Sequence, residues 1–112
     1  MKLKVIKAYR RKNKFFFILE LDNTTGQDQS KSKLLIRPCR IRHLVGDKEI
    51  KIPYRVGLVR ADTVPAGETV VYRTSFEAAD LSLLSGKYEI RFGLVREGVT
   101  WYDKVDAEFE VK

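Results

Sequence analysis

Short runs that alternate apolar and polar residues, the richness of those runs in Val, Ile, Tyr and Phe, and frequent turn signals between them predict an all-β fold. The architecture that fits is an antiparallel β-sandwich of seven to eight strands. The alternation is clearest late in the chain. Tyr88, Ile90, Phe92 and Leu94 interleave with Lys87, Glu89, Arg91 and Gly93, and Val105, Ala107, Phe109 and Val111 interleave with Asp106, Glu108 and Glu110. A length of 112 residues at 44% hydrophobic content fits one domain, 1–112, able to bury a core without metal or disulfide.

In chain order, Leu3, Val5 with Ile6, and Tyr9 make a first strand, followed by the basic loop Arg10-Arg11-Lys12-Asn13-Lys14. Residues 15–21 form a second strand, apolar on both faces in its first half and therefore central in its sheet. Residues 22–27 are dense in turn formers, and the polar stretch to Lys33 extends them into a loop. Residues 34–44 are a third strand region. Pro38 cannot donate to a ladder there, so the strand lies at an edge, or is bulged or broken. Gly46-Asp47 turns a hairpin into residues 50–52, and Pro53 introduces a further strand over 54–59. In Pro65-Ala66-Gly67 the proline fixes φ and the glycine supplies a positive φ, making a turn. Val70, Tyr72, Thr74 and Phe76 then alternate with Val71, Arg73 and Ser75, and residues 77–84 hold one helical turn where the chain crosses between sheets. Arg96-Glu97-Gly98 turns into the last strand.

One local motif refines the class. Leu84-Ser85-Gly86-Lys87-Tyr88 places a Tyr two residues after a Gly at the opening of a late strand, the spacing of the tyrosine corner of immunoglobulin-like sandwiches. The alternative is a plain core tyrosine after a glycine turn. Antibody-type domains carry a Cys two residues beyond that Tyr; here the residue is Ile90, and the chain has a single Cys. The absence of an inter-sheet disulfide suits a reducing compartment, and the cytoplasm is the expected location. No apolar run approaches the roughly 18 residues of a membrane span, and Met1-Lys2-Leu3-Lys4-Val5 opens no apolar segment of signal-peptide length.

Charge is uneven. Residues 1–56 hold 15 Lys/Arg against 5 Asp/Glu, a net of +10, whereas residues 57–112 hold 7 against 10, a net of −3. A basic half attracts anionic partners such as nucleic acid, acidic glycans or a membrane surface, unless it is simply a solvated face. Nucleic-acid binding through this half is the third reading of function, behind a carbohydrate module and an interaction module, and its phosphate contacts would make affinity fall steeply with salt.

Catalytic constellations are weak. Cys39 and His43, the one Cys and the one His, suggest a nucleophile and base. Four strand residues separate them by about 13 Å, too far to hydrogen-bond unless the Pro38 region folds back. Asp103, Asp106, Glu108 and Glu110 could supply a glycosidase pair, but the last three alternate with apolar residues and read first as the solvated face of a strand. A single Cys and a single His make a zinc site an unsuitable reading. The expectation is a non-enzymatic chain with no cofactor and no metal.

Two features can carry binding. The first is basic: Arg10, Arg11, Lys12, Lys14 and Arg37 as anion-binding candidates, with Arg40 and Arg42 sharing one strand face where guanidinium groups can grip carboxylates or phosphates. The second is Trp101-Tyr102. Strand neighbours point to opposite faces, which puts one ring in the core and leaves the other open to stack on a sugar or a base; the alternative is that both pack against the end of the sandwich.

From Val64 to Asp103 the chain resembles a known group of modules. Val64-Pro65-Ala66-Gly67-Glu68, then Ser85-Gly86-Lys87-Tyr88-Glu89-Ile90, then Leu94-Val95-Arg96-Glu97-Gly98-Val99-Thr100-Trp101-Tyr102 are similar to the "PGE" turn, "G-x-Y-x-L" and "L-V-x-E-G-V-x-W-F" of immunoglobulin-like modules. Those modules are appended to bacterial glycosyltransferases and methyltransferases of polysaccharide synthesis. Asn23-Thr24-Thr25-Gly26 resembles their "N-T-G" turn. A looser likeness is to the C-terminal, glycan-binding sandwich of O-antigen ABC transporter ATPases. This chain departs in its Ala66, in Tyr102 where the pattern has Phe, and in its more basic first half. The resemblance implies association with carbohydrate, with Trp101 and Tyr102 as stacking residues and Arg40 and Arg42 favouring an acidic glycan. It implies an oligosaccharide or polysaccharide as partner. The competing expectation is a structural or protein–protein interaction module, pairing through an edge strand with another chain or as a homo-oligomer.

Overall fold

A computed structural model of the chain describes residues 1–24, 34–61, 64–96 and 100–112, with backbone alone at Thr100. Among the described residues there are eight strands: β1 (Lys2–Arg11), β2 (Lys14–Asp22), β3 (Leu34–His43), β4 (Glu49–Ile50), β5 (Val59–Arg60), β6 (Thr69–Glu77), β7 (Gly86–Arg96) and β8 (Thr100–Val111). A 3-10 helix, Ala78–Leu81, carries the chain from β6 towards β7. β2 lies between β1 and β6 in a three-stranded sheet, and the second sheet runs β4-β3-β7-β8 with β5 also paired to β3. All pairings are antiparallel. This is the strand order of an immunoglobulin-like sandwich, A-B-E facing C′-C-F-G.

The alternating pattern becomes the core. Phe15, Phe17, Leu19 and Leu21 of β2 face Tyr88, Ile90, Phe92 and Leu94 of β7, all of them at most 1% exposed. Phe17 meets Phe92 edge-on at 5.0 Å, and Phe109 of β8 stacks on Tyr88 at 5.3 Å. Rings in tilted and offset contact add to their burial energy. The β2 strand is central, as its two apolar faces require: Phe16 and Ile18 on its outer side are also half-buried.

Two polar residues tie the ends of the sandwich. The Tyr88 hydroxyl donates to the Leu84 carbonyl at 2.8 Å, which is the tyrosine corner anticipated from Gly86 and Tyr88. Asn23 is fully buried; its Nδ2 donates to the carbonyls of Val64 (3.3 Å) and Pro65 (3.1 Å), and the Gly67 amide donates to its carbonyl. The end of β2 is thereby fastened to the Pro65-Ala66-Gly67 turn, where Gly67 adopts φ 71.

Pro38 is accommodated by a bulge. The β3–β7 register shifts between Pro38 and Arg40, and β4 and β5 pair β3 only at Arg42–Ile41 and Leu35–Ile36, so the missing N–H faces a gap between them. Residues 54–57 cover that gap as a turn, not as the strand expected over 54–59; β5 is only Val59–Arg60. The cause is a close approach. Gly57, at φ 69, lies on Pro38 so tightly that an added Cβ would sit 2.8 Å from the proline ring. The Thr74 hydroxyl donates to the Gly57 carbonyl at 2.8 Å and pins the turn to β6.

The basic loop expected over residues 10–14 is likewise corrected to a two-residue turn, Lys12-Asn13. Arg10 and Arg11 continue β1, Lys14 opens β2, and the Tyr9–Phe16 pair brings two rings into parallel contact at 4.9 Å. The expected turn and loop over residues 25–33, and Glu97-Gly98 of the last turn, lie outside the described residues.

Candidate functional site

The outer face of the β3–β7–β8 layer gathers most of the candidate residues. Alternation puts Arg40 and Arg42 of β3, Glu89 and Arg91 of β7, and Lys104 and Asp106 of β8 on this face. They form a connected ladder. Arg40 Nη2 and Arg42 Nε both donate to Glu89 Oε1, at 3.0 and 3.1 Å, and Arg42 also pairs with Asp47 on the β3–β4 turn. Arg91 grips Asp106 with two parallel hydrogen bonds, 2.7 and 3.2 Å. The Arg42 hydrogen bond holds the Glu89 carboxyl below the usual range, and the Arg91 hydrogen bond does the same to Asp106. The same bonds hold the Arg42 and Arg91 guanidinium groups firmly protonated. The positive charge of Arg40 and Arg42, read from sequence as an acidic-ligand site, is therefore met inside the protein.

The adjacent aromatics separate as strand geometry requires. Trp101 is 44% exposed on the outer face, while Tyr102 is half-buried against the core. A register shift between Leu94 and Val95 leaves Tyr102 as the extra residue of the pair, and Trp101 opposite Val95. The Trp101 ring lies across Gly93 so closely that a Cβ there would meet it at 2.2 Å, and Lys104 Nζ stands 5.2 Å from its centre. A glycine on the neighbouring strand is what lets the indole lie down on the sheet. Arg37 sits in the same cross-strand row as Gly93, with its guanidinium 5.0 Å from the Tyr54 ring, on the other sheet from Arg10, Arg11, Lys12 and Lys14. The expected anion set is thus divided.

Cys39 falls at the β3 bulge, and burial pushes its thiol up, the opposite of what activates a nucleophile. His43 instead stacks on Tyr88 at 4.7 Å and packs against Gly86. Glu89, Arg91, Asp106 and Gly93 escape single-strand reading because their importance comes from register: each alternates unremarkably along its own strand and gains a partner only across the ladder. Among the described residues no group of three His, Cys, Asp or Glu is placed to hold a metal, and no helix is long and apolar enough to cross a membrane.

Comparison with known protein families, with curated proteins and with solved structures finds no match to this chain.

Proposed function

We propose that the chain is a non-catalytic carbohydrate-binding module whose contact surface is the outer face of the β3–β7–β8 layer. The observation that supports this is Trp101, 44% exposed on the same sheet face as a fixed arginine–carboxylate ladder. Sugars need both parts. The C–H face of a pyranose ring packs on a flat aromatic, and its hydroxyls need donors and acceptors at set positions. Guanidinium groups held by carboxylates supply donors and acceptors that are pre-oriented, so little ordering entropy is lost on binding. Val95, opposite Trp101, is four β7 residues from Arg91, about 13 Å along the strand, a span that a short oligosaccharide covers. Because Glu89, Asp47 and Asp106 neutralise the ladder arginines, the part of the ligand that meets the ladder is an uncharged stretch of glycan. The likeness of residues 64–103 to modules of polysaccharide enzymes points the same way.

Trp101 is the one tryptophan, so its fluorescence reads the site directly. Titration with a panel of neutral oligosaccharides is expected to give a saturable change for one of them. In calorimetry with that sugar, Trp101→Ala is expected to weaken binding about tenfold, the worth of one aromatic contact. Fluorescence that no sugar moves, or affinity untouched by Trp101→Ala, contradicts the proposal.

A further inference from the structure

Arg37 and Lys104 stay beside the ladder, against Tyr54 and Trp101, and a larger group of cations outside the ion pairs lies on the other sheet. Residues 1–19 hold seven Lys or Arg and no Asp or Glu. None of those seven takes part in the ion pairs found among the described residues. Register divides the outer face of β1–β2–β6 into two zones. Lys2 and Lys4 lie opposite Asp22 and Glu20, so that end is balanced. Towards the β1–β2 turn come Lys7, Arg11 and Lys14, with Arg73 opposite Ile18 and Glu77 opposite Lys14. This zone ends in a shallow basin of about 470 Å³ lined in part by Arg11, Lys12, Asn13, Lys14, Phe16 and Glu77. Lys12 stands at φ 54, in the left-handed region that Gly or Asn ordinarily fills in such turns. The turn thus carries a cation at its tip at the cost of backbone strain.

That chemistry selects an anion, and the neighbouring rings choose among anionic polymers. Tyr9 and Phe16 lie parallel against one another, and the Lys7 and Lys14 ammonium groups stand 5.3 and 5.4 Å from their centres. Single-stranded nucleic acid is bound through several separate rings on which successive bases stack; here Tyr9 and Phe16 are stacked on one another and make a single platform. Carboxylates along a sugar chain need only the cations. We infer that the β1–β2 end of this sheet is a binding site for an acidic polysaccharide, its uronate groups held by Arg11, Lys12 and Lys14, with Lys7 and Arg73 beside them. The inference rests on the carbohydrate reading above, and it moves the acidic subsite from Arg40 and Arg42 to the opposite face.

The test is calorimetric titration of the full chain with a uronic-acid oligosaccharide, its uncharged counterpart, an oligothymidylate and phosphatidylglycerol vesicles. The uronate is expected to bind more tightly than the uncharged sugar and to weaken with salt. The double variant Arg11→Gln, Lys14→Gln is expected to lower its affinity about tenfold. Lys12→Gly, which relieves the positive φ, is expected to weaken uronate binding while leaving Tm unchanged or higher, a combination that misfolding does not produce. Equal affinity for the two sugars, or indifference to the basin variants, overturns this inference and leaves the carbohydrate reading standing. Oligothymidylate or vesicles binding more tightly than the uronate overturn it in favour of nucleic acid or a membrane surface. Binding of neither sugar overturns both.

Discussion

Tyr88 shows how one side chain can be legible in sequence both as a core residue and as a tether. Its ring is 1% exposed and its hydroxyl reaches the Leu84 carbonyl, so Tyr88→Phe keeps the packing and removes the bond. Urea denaturation is expected to show a loss of about 1 kcal/mol with an unchanged m-value; no loss would mean that the corner contributes nothing. Glu89 carries a different signature. Its carboxyl and that of Asp106 are held low by Arg42 and Arg91, so the folded state binds fewer protons than the unfolded chain near their titration. Stability from these pairs is full above the ordinary carboxylate range, about pH 4, and is lost as pH falls through the lower folded-state values. Glu89→Gln is expected to flatten the fall in Tm between about pH 6 and about pH 3, in that range of carboxylate titration. An identical fall in the variant would contradict the assignment. The spacing of Gly86 and Tyr88 made the corner readable in advance. Glu89 was not readable, because its partners Arg40 and Arg42 are 47 to 49 residues away and are brought to it only by the register of β3 on β7.

At the scale of elements, alternation and turn chemistry specify β2, β6, β7 and β8 closely. Of the edge, bulge or break that Pro38 suggests for β3, the bulge is what forms. β3 is not an edge strand, because β7 lies on one side of it and β4 and β5 on the other. Residues 54–59 fail as a strand because Gly57 is committed to a positive φ against Pro38, a constraint visible only once β3 is in place. The basic residues 10–14 fail as a loop because pairing of Arg10 with Phe15 and of Arg11 with Lys14 continues the ladder to a tight two-residue turn. The exposed edges follow from the same placement. β1 carries Lys2, Lys4, Lys7, Arg10 and Arg11, whereas β8 carries Asp103, Asp106, Glu108 and Glu110. Pairing β1 with β1 or β8 with β8 of a second copy sets like charges side by side, a recognised defence of edge strands. The oppositely charged β1 and β8 already lie against each other within the chain, where the Leu3 amide donates to Asp103 Oδ2 at 2.8 Å. β6 is partly covered by the turn that Thr74 holds. Light scattering at low salt is therefore expected to give a monomer; a dimer there would show that the charged edges do not protect the sheets.

The whole molecule has two unlike faces. One sheet presents arginines neutralised by carboxylates beside an exposed indole, and the other presents cations without acidic partners in the described ion pairs. Net charge of +7 says nothing of this division, since it comes from which strands lie side by side. The resemblance motifs acquire structural roles as well: Asn23 fastens the Pro65-Ala66-Gly67 turn, Tyr88 makes the corner, and Trp101 lies on Gly93. What is left for function is the surface these devices present. An HSQC titration of labelled protein with neutral oligosaccharides tests that most directly. The account predicts shifts at Trp101, Val95, Gly93, Arg91 and Asp106, with the β1–β2 turn unmoved. Shifts absent from those residues, or confined to the turn with every anion tried, would contradict carbohydrate recognition by the β3–β7–β8 face.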